Sequence, residues 1–234
     1  MIQKLNPDSS IAILIPCYNC GAAVSDVVDQ CRQYAERILT INDGSTDNTA
    51  EFLKKCQTES IGWKHNRGKG AALRDGFVHL LQQDNWSAVI TIDSDGQHDP
   101  TDISRFVQLF EQSKPDIVVG WRNFDTPDIP PIRRYSNIYS SKIIAAITGC
   151  DLRDLQCGYR LFSRSTLERL LPLMHSDRYA VETEMILTAH KLGMKIEENP
   201  VRCIYTEESS QRSSWKPFID SWHIAKVVAR HIHL

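Results

Sequence analysis

The run Val89-Ile90-Thr91-Ile92-Asp93-Ser94-Asp95-Gly96-Gln97-His98-Asp99-Pro100 constrains this chain more than any other segment. A short apolar stretch closed by acids and a glycine reads as a buried strand that stops where its sheet meets solvent. Side chains alternate along a strand, so Asp93 and Asp95 face the same way at its end. Neighbouring carboxylates repel unless a positive charge lies between them. Hard divalent cations such as Mg²⁺ or Mn²⁺ take oxygen ligands, often one or two carboxylates plus substrate phosphates. The segment therefore predicts a metal-held phosphate site at the mouth of an α/β sheet, against the plainer reading of two solvated turn-forming aspartates.

The remaining punctuation fits such a sheet. Ile11–Ile15 is a compact apolar strand closed by Pro16-Cys17-Tyr18-Asn19, and Val24, Val27, Val28 and Cys31 follow at helical spacing. Ile38–Ile41 reads as a second strand ending at Asn42-Asp43-Gly44-Ser45-Thr46-Asp47, and Thr49–Cys56 as a helix. The loop Asn66-Arg67-Gly68-Lys69-Gly70 leads into a helix carrying Leu73, Phe77 and Leu80. Pro100 and Asp102 open another helix, with Ile103, Phe106 and Val107 on one face, before the strand Ile117–Gly120. Beyond it lie a proline-rich irregular loop (123–131), a helix over Tyr135–Ile147, a strand over Cys157–Phe162, a helix over Ala180–Leu192 and a strand over Lys195–Tyr205. Strands alternating with helices predict a mostly parallel, Rossmann-like sheet flanked by helices, with ligands at the carboxyl ends of the strands. Those ends carry Tyr18, Asp43, Asp95 and Arg122. The chain is read as one domain with a nucleotide half (about 8–122) and an acceptor half (about 123–234).

Composition narrows the class of function. At 234 residues, 41% hydrophobic and 24% charged, the chain has ordinary globular character. A net charge of −2 gives no electrostatic case for nucleic acid. No run approaches a transmembrane segment, and Met1–Ser10 lacks the apolar core of a secretory signal. A cytoplasmic location is expected, with peripheral contact at the cytoplasmic membrane face. The seven cysteines are scattered and odd in number, so Cys17-x-x-Cys20 reads as reduced thiols rather than half a zinc site. The Gly68-Lys69 pair is no P-loop: Gly62 is one residue out of register and Gly70 occupies the hydroxyl position.

In order and at these spacings, the motifs resemble the inverting family 2 glycosyltransferases, and among them the polyprenyl- (dolichyl-) phosphate hexose synthases. The pieces are Ile15-Pro16-Cys17-Tyr18-Asn19, Asn42–Asp47, Asn66–Gly70, Asp93–Pro100 and Val118-Val119-Gly120-Trp121-Arg122, where Trp121 replaces the usual small residue. Asp154–Arg160 is also similar to the family and sits where a loop closes over the sugar. The resemblance implies a GT-A-type fold, a nucleotide-sugar donor (UDP- or GDP-linked), Mg²⁺ or Mn²⁺, and a lipid-phosphate acceptor. Expected nucleotide contacts are Pro16, Tyr18, Asn19, Asp43, Lys69, Asp93 and Ser94. Asp95 and Gln97 are the expected metal ligands. Asp93, Asp95, Arg122 and Glu184 are the expected catalytic residues, and Arg133, Arg134, Ser136 and Ser140 the expected acceptor contacts.

Chemistry supports this distribution. The diphosphate leaving group gains charge as the glycosidic bond breaks, and a divalent cation on Asp95 neutralises it without proton transfer. Asp93 is placed against the donor ribose or sugar. Asp43 can accept from base N–H groups, with Tyr18 as a face for the base; a turn-capping Asp and a half-buried core Tyr are the alternatives. Guanidinium forks at Arg122, Arg133 and Arg134 match phosphate oxygens, unless they are merely solvated. Val181-Glu182-Thr183-Glu184-Met185 falls where relatives with hydroxyl acceptors carry a catalytic acid pair, with Glu where Asp is more usual. Trp215, Phe218, Ile219 and Trp222, beside Lys216, form an apolar stripe suited to a bilayer interface or to the core. A hydroxyl-acceptor enzyme of the same family and a catalytically silent binding subunit are the competing functions.

Overall fold

Ile11–Cys17 forms strand β1, and its side chains alternate between two separate cores. Ala12 and Leu14 enter one, Ile11, Ile13 and Ile15 the other, and all five are buried. A strand apolar on both sides must lie within a sheet covered on both faces. The computed structural model describes residues 11–123, 131–204 and 217–232, except for the side chains of 131–138, 217–219 and 232. Within it β1 is joined by β2 (Arg37–Asp43), β3 (Glu59–Trp63), β4 (Ala88–Thr91), β5 (Ile117–Arg122), β6 (Arg160–Ser163) and β7 (Ile196–Val201). Their order is β3-β2-β1-β4-β6-β5-β7, with β6 antiparallel to β4 and β5 and every other pair parallel.

Helices α1 (Ala23–Cys31), α2 (Thr49–Cys56) and α4 (Ile103–Ser113) cover one face, packing Val24, Val28, Leu53 and Phe106 against Ile13, Ile15, Ile90 and Val118. On the other, α3 (Lys69–Leu81), α6 (Arg164–Leu170), α7 (Ala180–Lys191) and α8 (Pro217–Ile232) bring Phe77, Leu167, Met185 and Val227 onto Leu14, Ile41, Val89 and Phe162. Helix α5 (Pro131–Thr148) adds Ile144 to this second core. The chain leaves β1 toward β2 and β3, then crosses back to β4 on the opposite side. This reversal opens a crevice at the carboxyl ends of β1 and β4. Pro16 is tolerated in β1 because it lies past Leu14, the last β1 residue paired with β4.

The sequence expectations for β1, β2, β4, β5 and the helices hold to within a few residues. Differences are local. Glu59–Trp63 escapes the pattern because it is an edge strand with only Ile61 and Trp63 apolar. Helix α6 is short, its start marked only by Ser163, whose Oγ accepts from the Thr166 amide at 3.1 Å. Pro100–Asp102 is a 3-10 turn ahead of α4, capped by Asp99. β7 ends at Val201 rather than at Tyr205, which lies outside the described residues.

The Asp154–Arg160 segment is packed into the framework. Asp154, Leu155, Cys157, Tyr159 and Arg160 are buried. The Arg160 guanidinium donates to the carbonyls of Cys157 (2.8 Å), Leu155 (2.7 Å) and Glu182 (2.6 Å), tying β6, its approach and α7 together. Replacing Arg160 by Met removes the donor that these three carbonyls share. A loss of about 3–5 kcal/mol in urea unfolding is expected; a loss under about 1 kcal/mol would contradict this tie.

Candidate active site

Asp93, first residue past Ile92 at the end of β4, faces Lys69, the first residue of α3. A cation there is of the wrong sign for the helix dipole, so something must compensate it. Lys69 Nζ lies 2.5 Å from Asp93 Oδ1 and 2.5 Å from Glu182 Oε1 on α7. Burial alone would lower the Lys69 ammonium, but the two carboxylates outweigh it and hold it above the ordinary lysine range. Burial likewise works to raise Asp93, and Lys69 and then His98 reverse this, leaving it below the usual carboxylate range. Gly158 closes the cluster. A Cβ there would sit 2.6 Å from Lys69 Nζ and 2.9 Å from both Asp93 Oδ2 and Glu182 Oε1. A side chain there would have to displace all three of these groups.

His98 lies on the far side of Asp93, its Nε2 3.8 Å from Oδ2 and its ring tilted on Tyr159. Burial pushes the imidazole down to about 4, so it is neutral near pH 7.

Asp43 is expected to meet the donor base, and the structure gives it another task. Its Oδ1 accepts from Trp63 Nε1 (2.6 Å) and the Arg67 amide (2.7 Å), and its Oδ2 from Asn66 Nδ2 (2.7 Å) and the Gly68 amide (2.8 Å). Four donors match the roughly four lone-pair positions of a carboxylate. Asp43 therefore moulds the 66–68 loop and offers the base no vacant acceptor in this arrangement.

The α3 N-terminus is likewise committed, which removes it as an anion site. The Gly70 and Ala71 amides donate to Asp177 O at 2.8 and 3.2 Å, and a Cβ on Gly70 would collide with Ser176 O. The 175–177 turn is held in its place by Glu184, whose Oε2 accepts from the amides of His175 (3.0 Å) and Ser176 (2.8 Å). Glu184, expected as a catalytic residue, supports this turn through Oε2. Two residues apart on a helix point some 200° from one another, so Glu182 meets Lys69 while Glu184 does not.

Asp95 and Gln97 occupy the turn beyond β4, with Asp95 Oδ1 accepting the Gln97 amide at 3.0 Å. A carboxylate and an amide carbonyl are hard oxygen donors. Among the described residues no group of three His, Cys, Asp or Glu is arranged to hold a metal. So short a protein ligand set suits Mg²⁺ or Mn²⁺ completed by phosphate oxygens and water, not a closed structural site. Ser94 is buried. Tyr18 is half-buried at the end of β1. Asn19, at a positive φ of 50°, accepts from the Thr46 amide at 2.8 Å and so pins the 45–46 turn. Arg122 directs Nε and Nη2 onto buried Asp154 at 2.6 and 3.0 Å, so this much of its fork serves the fold rather than a phosphate.

The Glycosyl transferase family 2 model matches residues 12–171. The chain belongs to this family. It is 31% identical over 228 residues to the UDP-N-acetylglucosamine–dolichyl-phosphate N-acetylglucosaminyltransferase of Methanococcus voltae, covering 88% of this chain and 90% of that protein. It is 26% identical to the dolichyl-phosphate β-glucosyltransferase of Saccharomyces cerevisiae, covering 82% of this chain and 66% of that one. Among solved structures, glucosyl-3-phosphoglycerate synthase from Mycobacterium tuberculosis, in complex with Mn²⁺, UDP and glucosyl-3-phosphoglycerate, superposes with a TM-score of 0.76. At 16% identity, covering 97% of this chain and 81% of that one, it establishes the GT-A fold. This family 2 member is a hexosyltransferase resembling the dolichyl-phosphate sugar synthases.

Arg133, Ser136 and Ser140 share one face of helix α5 at i, i+3 and i+7, with Arg134 one position round. The side chains of Arg133, Arg134 and Ser136 lie outside the described residues, whereas Ser140 is half-buried. Of the C-terminal stripe only the Trp222 side chain lies within the described residues. Asp220, Ile224, Val227 and Val228 turn inward on α8, while Trp222 is 62% exposed; Trp215 and Lys216, and the side chains of Phe218 and Ile219, lie outside the description.

Sequence reasoning placed no weight on His98, Gly158 or Asp154. Asp154 had a readable signal, an acid in a family-like motif; the pairing of Lys69 with Glu182, 113 positions apart, had none. Because Glu184 serves backbone amides, Glu184→Ala should lower stability by about 1–3 kcal/mol. Hydrogen exchange should quicken at the His175 and Ser176 amides. Unchanged protection there would contradict the assignment.

Proposed function

We propose that this enzyme is a metal-dependent inverting glycosyltransferase that moves a hexose from a UDP- or GDP-linked sugar to a polyprenyl phosphate. The observation that carries the acceptor assignment is the commitment of both α7 carboxylates. Glu182 is engaged by Lys69, and Glu184 by two backbone amides. A hydroxyl acceptor needs a base to take its proton as the new bond forms. A phosphate monoester is already anionic near neutral pH and needs none. The dolichyl-phosphate acceptor named for the Methanococcus voltae relative supports the same choice.

Within this reading, Asp95 and Gln97 would hold the cation through oxygen atoms. When bound, that ion would stabilise charge growing on the leaving diphosphate. Asp93, kept ionised by Lys69, accepts from a donor hydroxyl. Tyr18 offers its ring to the base, and Arg133 and Arg134 at the start of α5 meet the acceptor phosphate. No helix among the described residues is long and apolar enough to cross a membrane. Contact with lipid would instead run through exposed apolar side chains: Tyr139, Ile143 and Ile147 at i, i+4 and i+8 on α5, and Trp222 on α8.

Transfer from a panel of UDP- and GDP-sugars to a polyprenyl phosphate tests the reading. Asp95→Ala and EDTA should each abolish turnover in a folded protein, and full activity in either condition would overturn metal dependence. Arg133→Ala and Arg134→Ala should impair lipid transfer at least about tenfold while sparing slow donor hydrolysis, as loss of an anion clamp requires. Equal loss of both activities would remove those arginines from the acceptor site. Ile143→Glu should reduce co-sedimentation with anionic liposomes; indifference to it would remove α5 from the membrane contact.

A further inference from the structure

Lys69 is a long side chain, and one carboxylate would leave it free to swing. Two carboxylates on different elements fix it. Glu182 is 4% exposed, and its own backbone carbonyl is gripped by Arg160 at 2.6 Å, so its position is set by the core. On the opposite side, Asp93 offers Oδ1 to Lys69 at 2.5 Å. Its Oδ2 has His98 Nε2 at 3.8 Å, beyond hydrogen-bonding range, and beside it Gly158 contributes no side chain. One oxygen of Asp93 is thus anchored by Lys69, the other lies between His98 and the backbone of Gly158, and the side chain keeps 27% of its surface exposed.

We propose that Glu182 is a positioning residue for the donor: by holding the Lys69 ammonium, it orients Asp93 so that Oδ2 is the acceptor for a hydroxyl of the nucleotide sugar. The proposal rests on the reading of the donor given above. It gives α7 an indirect part in donor recognition, through Lys69 and Asp93. It also gives a role to an acid at position 182 whose lone pairs face a cation instead of an incoming nucleophile. Glu182 itself touches no reacting atom; its effect passes through Lys69.

A double-mutant cycle separates positioning from simple structural support, because residues acting through one another give non-additive losses. The readout is calorimetric binding of the intact nucleotide sugar, which needs no acceptor. Glu182→Gln should weaken binding about tenfold in the parent protein but less than about twofold when Asp93 is already Asn. The same tenfold loss in both backgrounds, or no loss in the parent, would overturn the proposal. If Glu182→Gln does not fold, the paired replacement Lys69→Met with Glu182→Gln removes both charges together. That protein should still bind the donor about tenfold more weakly, and parental affinity would overturn the proposal. If no UDP- or GDP-sugar binds the parent protein, the donor reading fails and this inference with it. Binding by the parent with additive losses leaves the donor reading standing and removes only the role of Glu182.

Discussion

The Lys69 ammonium is the joint on which the site is assembled. It begins α3 in the nucleotide half, faces Asp93 at the end of β4, and meets Glu182 on α7 from the acceptor half. A lysine at a helix N-terminus is electrostatically unfavourable on its own, and burial adds to that cost. Both are offset by the two carboxylates. The surroundings serve the same joint: the 175–177 turn caps α3, Glu184 supports the turn, and Arg160 fixes the backbone of Glu182.

This arrangement bears on the chemistry through the groups it engages. Carboxylates available to act as bases would be expected on α7 if the acceptor were an alcohol, yet both are engaged by donors within the chain. Asp43, Arg122 and the α3 N-terminus are occupied in the same manner. Asp95 and Gln97, at the turn beyond β4, are hard oxygen donors of the kind that assist departure of a diphosphate through a bound cation, a chemistry that needs no proton transfer.

The fold was readable in the sequence wherever burial writes a pattern. β1, β2, β4 and β5 are apolar runs stopped by polar turn residues, and α4 carries its apolar face plainly. Glu59–Trp63 was not readable, because an edge strand buries little and need not alternate. Of the candidate site, Asp93 and Asp95 were legible as acids at a strand end. Their surroundings were not. Whether Glu182 or Glu184 faces the crevice depends on the rotation of α7, which its nearly all-buried surface does not encode. That Asp43 serves its own loop depends on Trp63 and Asn66 arriving from β3 and beyond. Such pairings between distant segments are properties of packing, and one sequence does not display them.

The central claim is that the acceptor arrives already charged. Its most direct test compares single-turnover transfer, with saturating donor and Mn²⁺, to a polyprenyl monophosphate and to the polyprenol of the same chain length. The two acceptors share their hydrophobic tail and differ only in whether a proton must be removed. Transfer to the phosphate with none to the alcohol is the expected result. Comparable or faster transfer to the alcohol would show that a base operates in this site, and would contradict the account.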